Sequence, residues 1–336
     1  MMNAKALLLF LLLGLTACSG LWLGPDPQAN DPGALYDTFW QTFDRNYVGF
    51  QVRGVNWQAV YDTYRPQVTA ITSNAQLLDI MGRSIRTLRD GHVFVQAKGV
   101  GTVGSFTFVT NQDFVGLAQI KSRYVPDLTA INSNIAYAEI RPGVEYIYIG
   151  TFGNNPGFAK LDGVLEQMKN YRALIIDIRD NGGGNDANGQ AIAERFTTER
   201  RLYGYLQYRT GPAHVDLSPL DPVYLNPTGT GFTKPIYLLT NRYVFSAANG
   251  FTLMMRSLPN VVQLGDTTGN GIAGAIPREL PNGWTCGVVS KLESMPDGYV
   301  VEGRGIPPAR LVLNEPPSQS GGRDHILETA LELIDP

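Results

Sequence analysis

Three short stretches of the sequence carry groups that could cleave an acyl bond. Residues 242–251 read RYVFSAANGF and place Ser246 after an apolar run and before two alanines. A serine at the start of a helix is either a nucleophile or an N-cap, and on this stretch alone the N-cap is favoured. In both cases the backbone N–H of Ala247 has no helical partner and could stabilise an oxyanion beside the serine.

The second stretch is glycine-rich. Residues 175–189, IIDIRDNGGGNDANG, form an apolar strand that runs into Gly182, Gly183 and Gly184. Glycines allow a close backbone approach, and the N–H groups of such a turn can bind a developing anion. The loop matches neither the dinucleotide fingerprint nor the phosphate loop of nucleotide-binding proteins. A plain tight turn between strand and helix is the alternative.

The third stretch, LRDGHVFV at residues 88–95, contains His92 just after the expected end of a helix. Imidazole suits general-base catalysis near neutral pH, although a lone histidine is more often structural. The other two histidines, His214 in a Pro/Gly-flanked loop and His325 in the last helix, are expected to be solvated. No residues show metal-ligand spacing, so neither a metal nor an organic cofactor is expected.

Hydrophobic periodicity predicts the elements that position these stretches. Apolar residues recur every four positions behind Asp31 and predict a first helix, and a second carries Trp57 and Tyr61. Ser73 and Gln76 form the expected capping box of a third helix. Further along, strands alternate with helices, which predicts an α/β fold with parallel pairing. The predicted strands are 146–150, 173–178 and 235–240, the helices 158–171, 187–196 and 246–258, and a hairpin turns at residues 281–283.

Several motifs together resemble the S41 family of serine peptidases, which includes C-terminal processing and tricorn-core proteases. They are RALIIDIRDNGGG, KPIYLLTNRYVFSAANGF, PNVVQLGDTTGNG, LPNGW and DGYVVEGRGIPPARLVL, and the resemblance runs from about Asp37 to the end. It implies a crotonase/ClpP-like β-β-α superhelical core with a small helical N-terminal subdomain. It also implies that Ser246 is the nucleophile, with Ala247 and a glycine of the 182–184 loop supplying the oxyanion hole.

The sequence departs from the family in its expected base. The processing proteases use a lysine where GDTTGNGIAG places Asn270 here, and asparagine cannot accept the serine proton. The tricorn-like branch uses a histidine instead, so the resemblance of the DGHV motif assigns that role to His92. A serine precedes the histidine in that branch, whereas this chain has Gly91.

A carboxylate from the C-terminal part would orient the imidazole in this family. Glu302 in VVEGRGIPP is the predicted residue, with Glu279 and Asp90 as alternatives. The chain between residue 92 and the strand at 146 is too short for a complete PDZ domain. The predicted organisation is a helical subdomain at 34–92, short strands and loops at 93–145, and a peptidase core at 146–336.

The first twenty residues indicate export. Residues 1–17 are typical of a signal peptide and end in LTAC, which resembles a bacterial lipobox and implies acylation of Cys18; an ordinary secretory signal is the alternative. Residues 18–33 read as a flexible tether. The expected location is a bacterial membrane, on the periplasmic face of the outer membrane. Cys286, the other cysteine, is expected in a strand and not as a nucleophile.

The predicted function is peptide-bond hydrolysis through Ser246, with protein or peptide substrates. A net charge of −3 without basic clusters argues against a nucleic-acid partner. The alternatives are a non-catalytic ligand- or peptide-binding lipoprotein on the same scaffold and, less favoured, an esterase for small substrates. The sequence gives no indication of the oligomeric state.

Overall fold

The computed structural model describes residues 30–106, 115–153, 158–229, 231–315 and 321–336. The predicted signal peptide, Cys18 and most of the tether therefore lie outside the described residues. The helices are α1 Pro32–Asn46, α2 Trp57–Tyr64, α3 Asn74–Arg86, α4 Leu117–Arg123, α5 Phe158–Gln167, α6 Asp186–Ala193, α7 Ala247–Arg256 and α8 His325–Ile334.

The strands are β1 Phe94–Ala97, β2 Gly101–Gly104, β3 Thr129–Ala130, β4 Ile135–Arg141, β5 Val144–Ile149, β6 Ala173–Asp177, β7 Arg201–Tyr208, β8 Asp221–Leu225, β9 Ile236–Thr240, β10 Val261–Gly265, β11 Ile276–Glu279, β12 Thr285–Val288, β13 Lys291–Ser294 and β14 Arg310–Leu311.

A seven-stranded sheet in the order β14-β10-β9-β6-β5-β4-β3 forms the centre of the molecule. The first five strands pair in parallel and the last two add antiparallel. Strands β5, β6 and β9 are buried throughout, as expected for central strands with both faces covered. The α/β alternation and the parallel pairing predicted from the sequence are confirmed.

Helix ends differ from the predictions by up to four residues. Helix α7 begins one residue after Ser246 and ends at Arg256. Beyond it, the N–H groups of Ser257 and Leu258 donate to the carbonyls of Met254 and Met255, three residues earlier. Such a tightened last turn is common. Likewise α6 ends at Ala193, and α5 gives way to a 3₁₀ turn at Met168–Asn170.

The three N-terminal helices pack against a second, antiparallel sheet in the order β11-β12-β1-β2. Asp31 caps α1 through the amide of Gly33, and the capping box of Ser73 and Gln76 is confirmed. The predicted hairpin joins β11 to β12, with Gly283 at φ 77° in its turn.

This packing creates a joint hydrophobic cluster, here called the N-terminal core, made of buried residues from 35–97 and from 273–292. Phe39, Phe43 and Trp57 lie at its centre with ring centroids 5.3 to 6.3 Å apart. The N-terminal helices are thus covered by strands that come late in the chain.

A third sheet, β13-β7-β8, contacts α7, and α8 packs on the large sheet. None of the helices in the described part of the chain is long and apolar enough to cross a membrane.

Candidate active site

Ser246 lies between β9 and α7 in a conformation that few non-glycine residues adopt. Its φ is 56° and its ψ is −128°, and its side chain makes no capping hydrogen bond with the helix. The backbone is held by a hydrogen bond from the Ser246 N–H to the Gly271 carbonyl, at 2.9 Å. Although Ser246 stands at the N-cap position of α7, its hydroxyl is free of a capping role.

The Ser246 hydroxyl contacts His92 instead. Oγ lies 3.0 Å from His92 Nε2, across 154 residues of sequence. The imidazole stacks on the ring of Phe245, with centroids 4.4 Å apart and an interplanar angle of 29°. This stacking limits rotation of the ring and keeps Nε2 directed at the serine.

The surroundings of His92 favour the neutral imidazole. Burial lowers the pKa of His92, while the negative charges of Asp90 and Asp186 oppose the shift. When Nε2 accepts the serine proton, Nδ1 carries the ring hydrogen. Nδ1 is buried, and no residue in the described ranges forms a hydrogen bond with it.

The structure places Glu302 in a separate network. Its carboxylate accepts hydrogen bonds from Arg53 Nη2 at 2.8 Å and from the Ile272 N–H at 3.2 Å, and neither oxygen pairs with His92 Nδ1. Burial, together with the negative charge of Asp90, raises the pKa of Glu302 to about 8, although Arg53 opposes the shift. The structure does not bring Glu302 into contact with the imidazole it was predicted to orient.

The two alternative carboxylates are also away from the ring nitrogens. Asp90 is fully buried; its Oδ1 accepts the backbone N–H of His92 at 3.0 Å and its Oδ2 accepts the Tyr47 hydroxyl at 2.9 Å. Asp90 therefore holds the backbone of His92. Glu279 is exposed on β11.

The glycine loop lies directly against the serine. Gly183 has φ 114°, and a Cβ there would lie 2.7 Å from Ser246 Cβ and 3.1 Å from the Ala247 nitrogen. The Gly183 N–H donates to Asn181 Oδ1 at 2.9 Å. The loop therefore packs directly against Ser246 and the start of α7.

Asn270, which stands where processing proteases have their lysine, belongs to the loop behind Ser246. Its side-chain amide donates to the Arg89 carbonyl at 3.3 Å, and its backbone carbonyl accepts from Arg53 Nη2 at 3.1 Å. These bonds connect Asn270 to the segment that precedes His92, and the serine hydroxyl pairs with His92 instead.

Sequence reasoning missed Arg53, Tyr47 and Phe245 as neighbours of the site. The first two meet Asp90, and Phe245 supports the imidazole. Arg53 and Tyr47 belong to no motif. Arg53 donates mainly to backbone carbonyls, and since every residue has one, the sequence does not indicate which residues it binds. Phe245 carried a signal, because it directly precedes the serine in an apolar run.

The remaining candidates lie outside the site. His214, which was expected to be solvated, keeps 32% of its side chain exposed, while Nε2 pairs with Asp44 at 2.9 Å and the ring stacks on Phe50, because the loop folds back onto the end of α1. Cys286 is buried in β12, where burial raises the pKa of its thiol to about 12, in agreement with a strand residue. The described ranges contain no group of three or more metal-ligating side chains.

Comparison with known proteins adds two family matches. The model of peptidase family S41 matches residues 143–312, and that of the tricorn protease C1 domain matches residues 29–85. No curated protein sequence matches this chain.

Solved structures share this fold. A protein of Parabacteroides merdae assigned as a peptidase is 31% identical, with a TM-score of 0.83 over 91% of this chain and 97% of that one. The photosystem II D1 C-terminal processing protease is 14% identical, with a TM-score of 0.54 over 84% and 93% of the two chains. Mature CPAF is 13% identical, with a TM-score of 0.62 over 92% and 96%. The last two likenesses concern the fold alone.

Proposed function

Since this chain belongs to peptidase family S41 and is a serine peptidase, we propose that it hydrolyses peptide bonds through an acyl-enzyme formed on Ser246, with His92 as the general base. The observation that carries this proposal is the 3.0 Å contact between Ser246 Oγ and His92 Nε2. A nucleophile and its base must lie within hydrogen-bonding distance for the proton to move as the attack proceeds.

In the first half of the reaction, neutral His92 takes the Ser246 proton at Nε2 while Oγ bonds to the peptide carbonyl carbon. The carbonyl electrons move to the oxygen, which becomes a tetrahedral oxyanion. When this intermediate collapses, the C–N bond breaks and the imidazolium donates its Nε2 proton to the leaving amine. In the second half, His92 removes a proton from water as that water attacks the ester carbonyl carbon. The C–Oγ bond then breaks, the imidazolium returns its proton to Ser246 Oγ, and the carboxylic acid product leaves.

The oxyanion would be held by the Ala247 N–H and an N–H of the Gly182, Gly183 and Gly184 loop. Helix α7 begins at Ala247, so this N–H has no helical partner and lies at the positive end of the helix dipole. Each such donor contributes about 3 kcal/mol to transition-state stabilisation. The close approach of the loop supports this placement, since a Cβ on Gly183 would lie 2.7 Å from Ser246 Cβ. The Gly183 N–H itself donates to Asn181 Oδ1.

The role of Glu302 stays a prediction. A carboxylate on Nδ1 would hold the reactive tautomer and stabilise the imidazolium, but Glu302 pairs with Arg53 and Ile272. In this chain Phe245 restrains the ring by stacking and Asp90 holds the His92 backbone.

The unpartnered Nδ1 and the absence of a lysine at Asn270 favour one rival, a ligand- or peptide-binding lipoprotein without catalysis. Reactivity of the serine distinguishes the two, and a fluorophosphonate probe measures it directly. We expect the folded parent to be labelled, Ser246→Ala to be unlabelled, and His92→Ala to lose about 10²–10⁴-fold in rate.

Matched controls are Ser257→Ala, at the other end of α7, and His214→Ala, both of which should label like the parent. A folded parent that resists the probe would contradict the peptidase mechanism and favour the binding protein. Comparing peptides with simple esters then separates a peptidase from an esterase, since a peptidase retains activity on peptide bonds.

We further propose that the protein is exported and anchored through a lipid on Cys18. Support comes from the apolar run at residues 6–15 and the LTAC sequence that follows it. Residues 18–33 would then hold the peptidase away from the membrane surface.

A further inference from the structure

Arg53 lies in the loop between α1 and α2, yet its side chain is only 5% exposed. One arm of the guanidinium reaches the segment that leads to His92. Nη1 donates to the carbonyl of Arg89 at 2.7 Å and to that of Leu88 at 3.4 Å. Arg89 has φ 51°, an unfavourable value for a residue with a side chain, so this turn needs external support.

The other arm reaches the loop that supports Ser246. Nη2 donates to the Asn270 carbonyl at 3.1 Å and to Glu302 Oε1 at 2.8 Å. Glu302 accepts the Ile272 N–H through Oε2. Gly271 lies between Asn270 and Ile272, and its carbonyl accepts the Ser246 N–H. Residues 270–272 thus connect Arg53 to the backbone of Ser246.

From this arrangement we propose that Arg53 is a positioning residue: it joins the His92 segment to the Ser246 loop and supplies the positive charge that offsets Asp90 beside the histidine. The inference rests on the proposed function and adds to it a residue that acts through the carbonyls of Leu88, Arg89 and Asn270 and through Glu302. A planar guanidinium can serve several acceptors at fixed angles, which an ammonium cannot.

The charge of Arg53 has a predictable effect on His92. Burial lowers the pKa of His92, Asp90 and Asp186 raise it, and Arg53 and Lys291 lower it. Arg53 itself faces Asp90 at 3.5 Å.

The other titratable groups that act on Arg53 are Glu302 and Tyr47. Removing the guanidinium leaves Asp90 uncompensated next to the imidazole. The cationic form of His92 is then favoured, and its pKa rises.

The test is an NMR titration of the His92 ring in the parent, Arg53→Met and Arg53→Lys, with the signal assigned by its loss in His92→Gln. We expect Arg53→Met to raise the His92 midpoint by about half a pH unit or more. Arg53→Lys keeps the charge and should leave the midpoint near that of the parent. Because the titration needs no catalysis, it tests Arg53 even if the probe shows an inert serine.

The rate of probe labelling tests the positioning role. Both variants should label about tenfold or more slowly at the pH optimum, because geometry lost at a reacting pair is costly. The matched control is Arg209→Met, since Arg209 also binds backbone carbonyls, those of Tyr47 and Asp44, but reaches neither catalytic loop. It should lower the Tm without moving the His92 midpoint.

An unchanged or lowered midpoint in Arg53→Met would overturn the charge assignment. Labelling of Arg53→Lys at the parental rate, with equal Tm, would overturn the positioning role. If Arg53→Met does not fold, Arg53→Lys and Arg209→Lys decide between catalytic positioning and plain structural support. Failure of the parent to label, with a raised midpoint in Arg53→Met, would contradict the proposed function alone.

Discussion

The backbone of Ser246 is held at a positive φ, in a sparsely populated conformation that costs about 1–3 kcal/mol for a residue with a side chain. The hydrogen bond to Gly271 and the buried start of α7 hold it in this state. The result is a hydroxyl that points away from the helix it precedes and toward His92. Strain at this residue is therefore tied to the chemistry proposed for it.

The first prediction concerns pH. His92 must be neutral to accept a proton, so activity is lost as pH falls through its pKa. Since burial lowers that pKa, we expect the acidic midpoint of kcat/KM, or of probe labelling, to lie below 6.5, the ordinary value for histidine. Rates measured from pH 8 to pH 4.5 check this. A midpoint above 6.5, or no decline at all, would contradict a buried histidine base.

The second prediction concerns Gly183. Alanine there would have φ 114° and would push its Cβ against Ser246 Cβ at 2.7 Å and the Phe245 carbonyl at 2.8 Å. We expect Gly183→Ala to reduce labelling by about 100-fold or more, because the oxyanion donors and the serine are displaced.

The control for Gly183→Ala is the neighbouring glycine. A Cβ on Gly182 meets only the Tyr243 ring at 3.5 Å, an ordinary contact, so Gly182→Ala should change the rate little. Equal losses in the two variants would show that the loop as a whole, and not the approach at Gly183, sets the rate.

At the residue scale, the resemblance to the S41 family predicted one site for Ser246, His92 and the glycine loop. The residue types alone left a structural alternative open for each stretch. Arg53 escaped because nothing in its neighbours along the chain signals that it binds carbonyls of Arg89 and Asn270. Because Arg53 was missed, its ion pair with Glu302 was missed as well.

At the level of elements, a buried ionic cluster ties the end of β6 to α8. Arg179 pairs with Asp177 at 2.6 Å and with Asp324 at 2.7 Å, and all three side chains are fully buried. Asp324 is also the N-cap of α8. Burial alone would raise the pKa of Asp324, but Arg179 more than offsets this and holds the pKa below its ordinary value. The cluster fixes the strand that leads into the glycine loop.

The third prediction is that Arg179→Met lowers the free energy of unfolding by about 3–5 kcal/mol, because it leaves two carboxylates buried without their partner. Urea unfolding measures the change. The control is Arg172→Met, which removes an exposed pair with Asp335 at the other end of α8 and should leave the urea midpoint unchanged. A parental midpoint for Arg179→Met would show that the cluster does not stabilise the fold.

The main elements of the sheet were predictable from the sequence, because β6 and β9 are mostly apolar, apart from Asp177 and Thr240 at their ends, and helices separate the predicted strands. The antiparallel strands were not assigned individually. Strands such as β2 and β11 are short and largely exposed, so they lack the alternation that reveals a half-buried strand.

On the scale of the whole molecule, the N-terminal core joins the N-terminal helices to strands from residues 273–292. Sequence periodicity predicted the helices at 34–92 but not the strands that cover them, because those strands come from residues 273–292. Long-range pairing leaves no local trace in a single sequence. The predicted subdomain boundaries therefore stay predictions, whereas the shared core is observed.

The fourth prediction concerns anchoring. In a bacterial host, the parent should partition into the detergent phase of Triton X-114 and take up labelled fatty acid. Cys18→Ser should do neither, since a serine cannot carry the thioether lipid, and Cys286→Ser is the matched control that should behave like the parent. Equal partitioning of the parent and Cys18→Ser would favour an ordinary secretory signal.

The shared core also has a consequence for the order of folding. A chain made or transported from its N-terminus presents α1 to α3 first, with Phe39, Phe43 and Trp57 still uncovered until residues 273–292 arrive. We expect such a nascent chain to depend on chaperones, because exposed aromatic surface promotes aggregation. His92 directly precedes β1, which pairs with β12 from that late segment. We therefore expect peptidase activity to appear only after residues 273–292 have joined the folding chain.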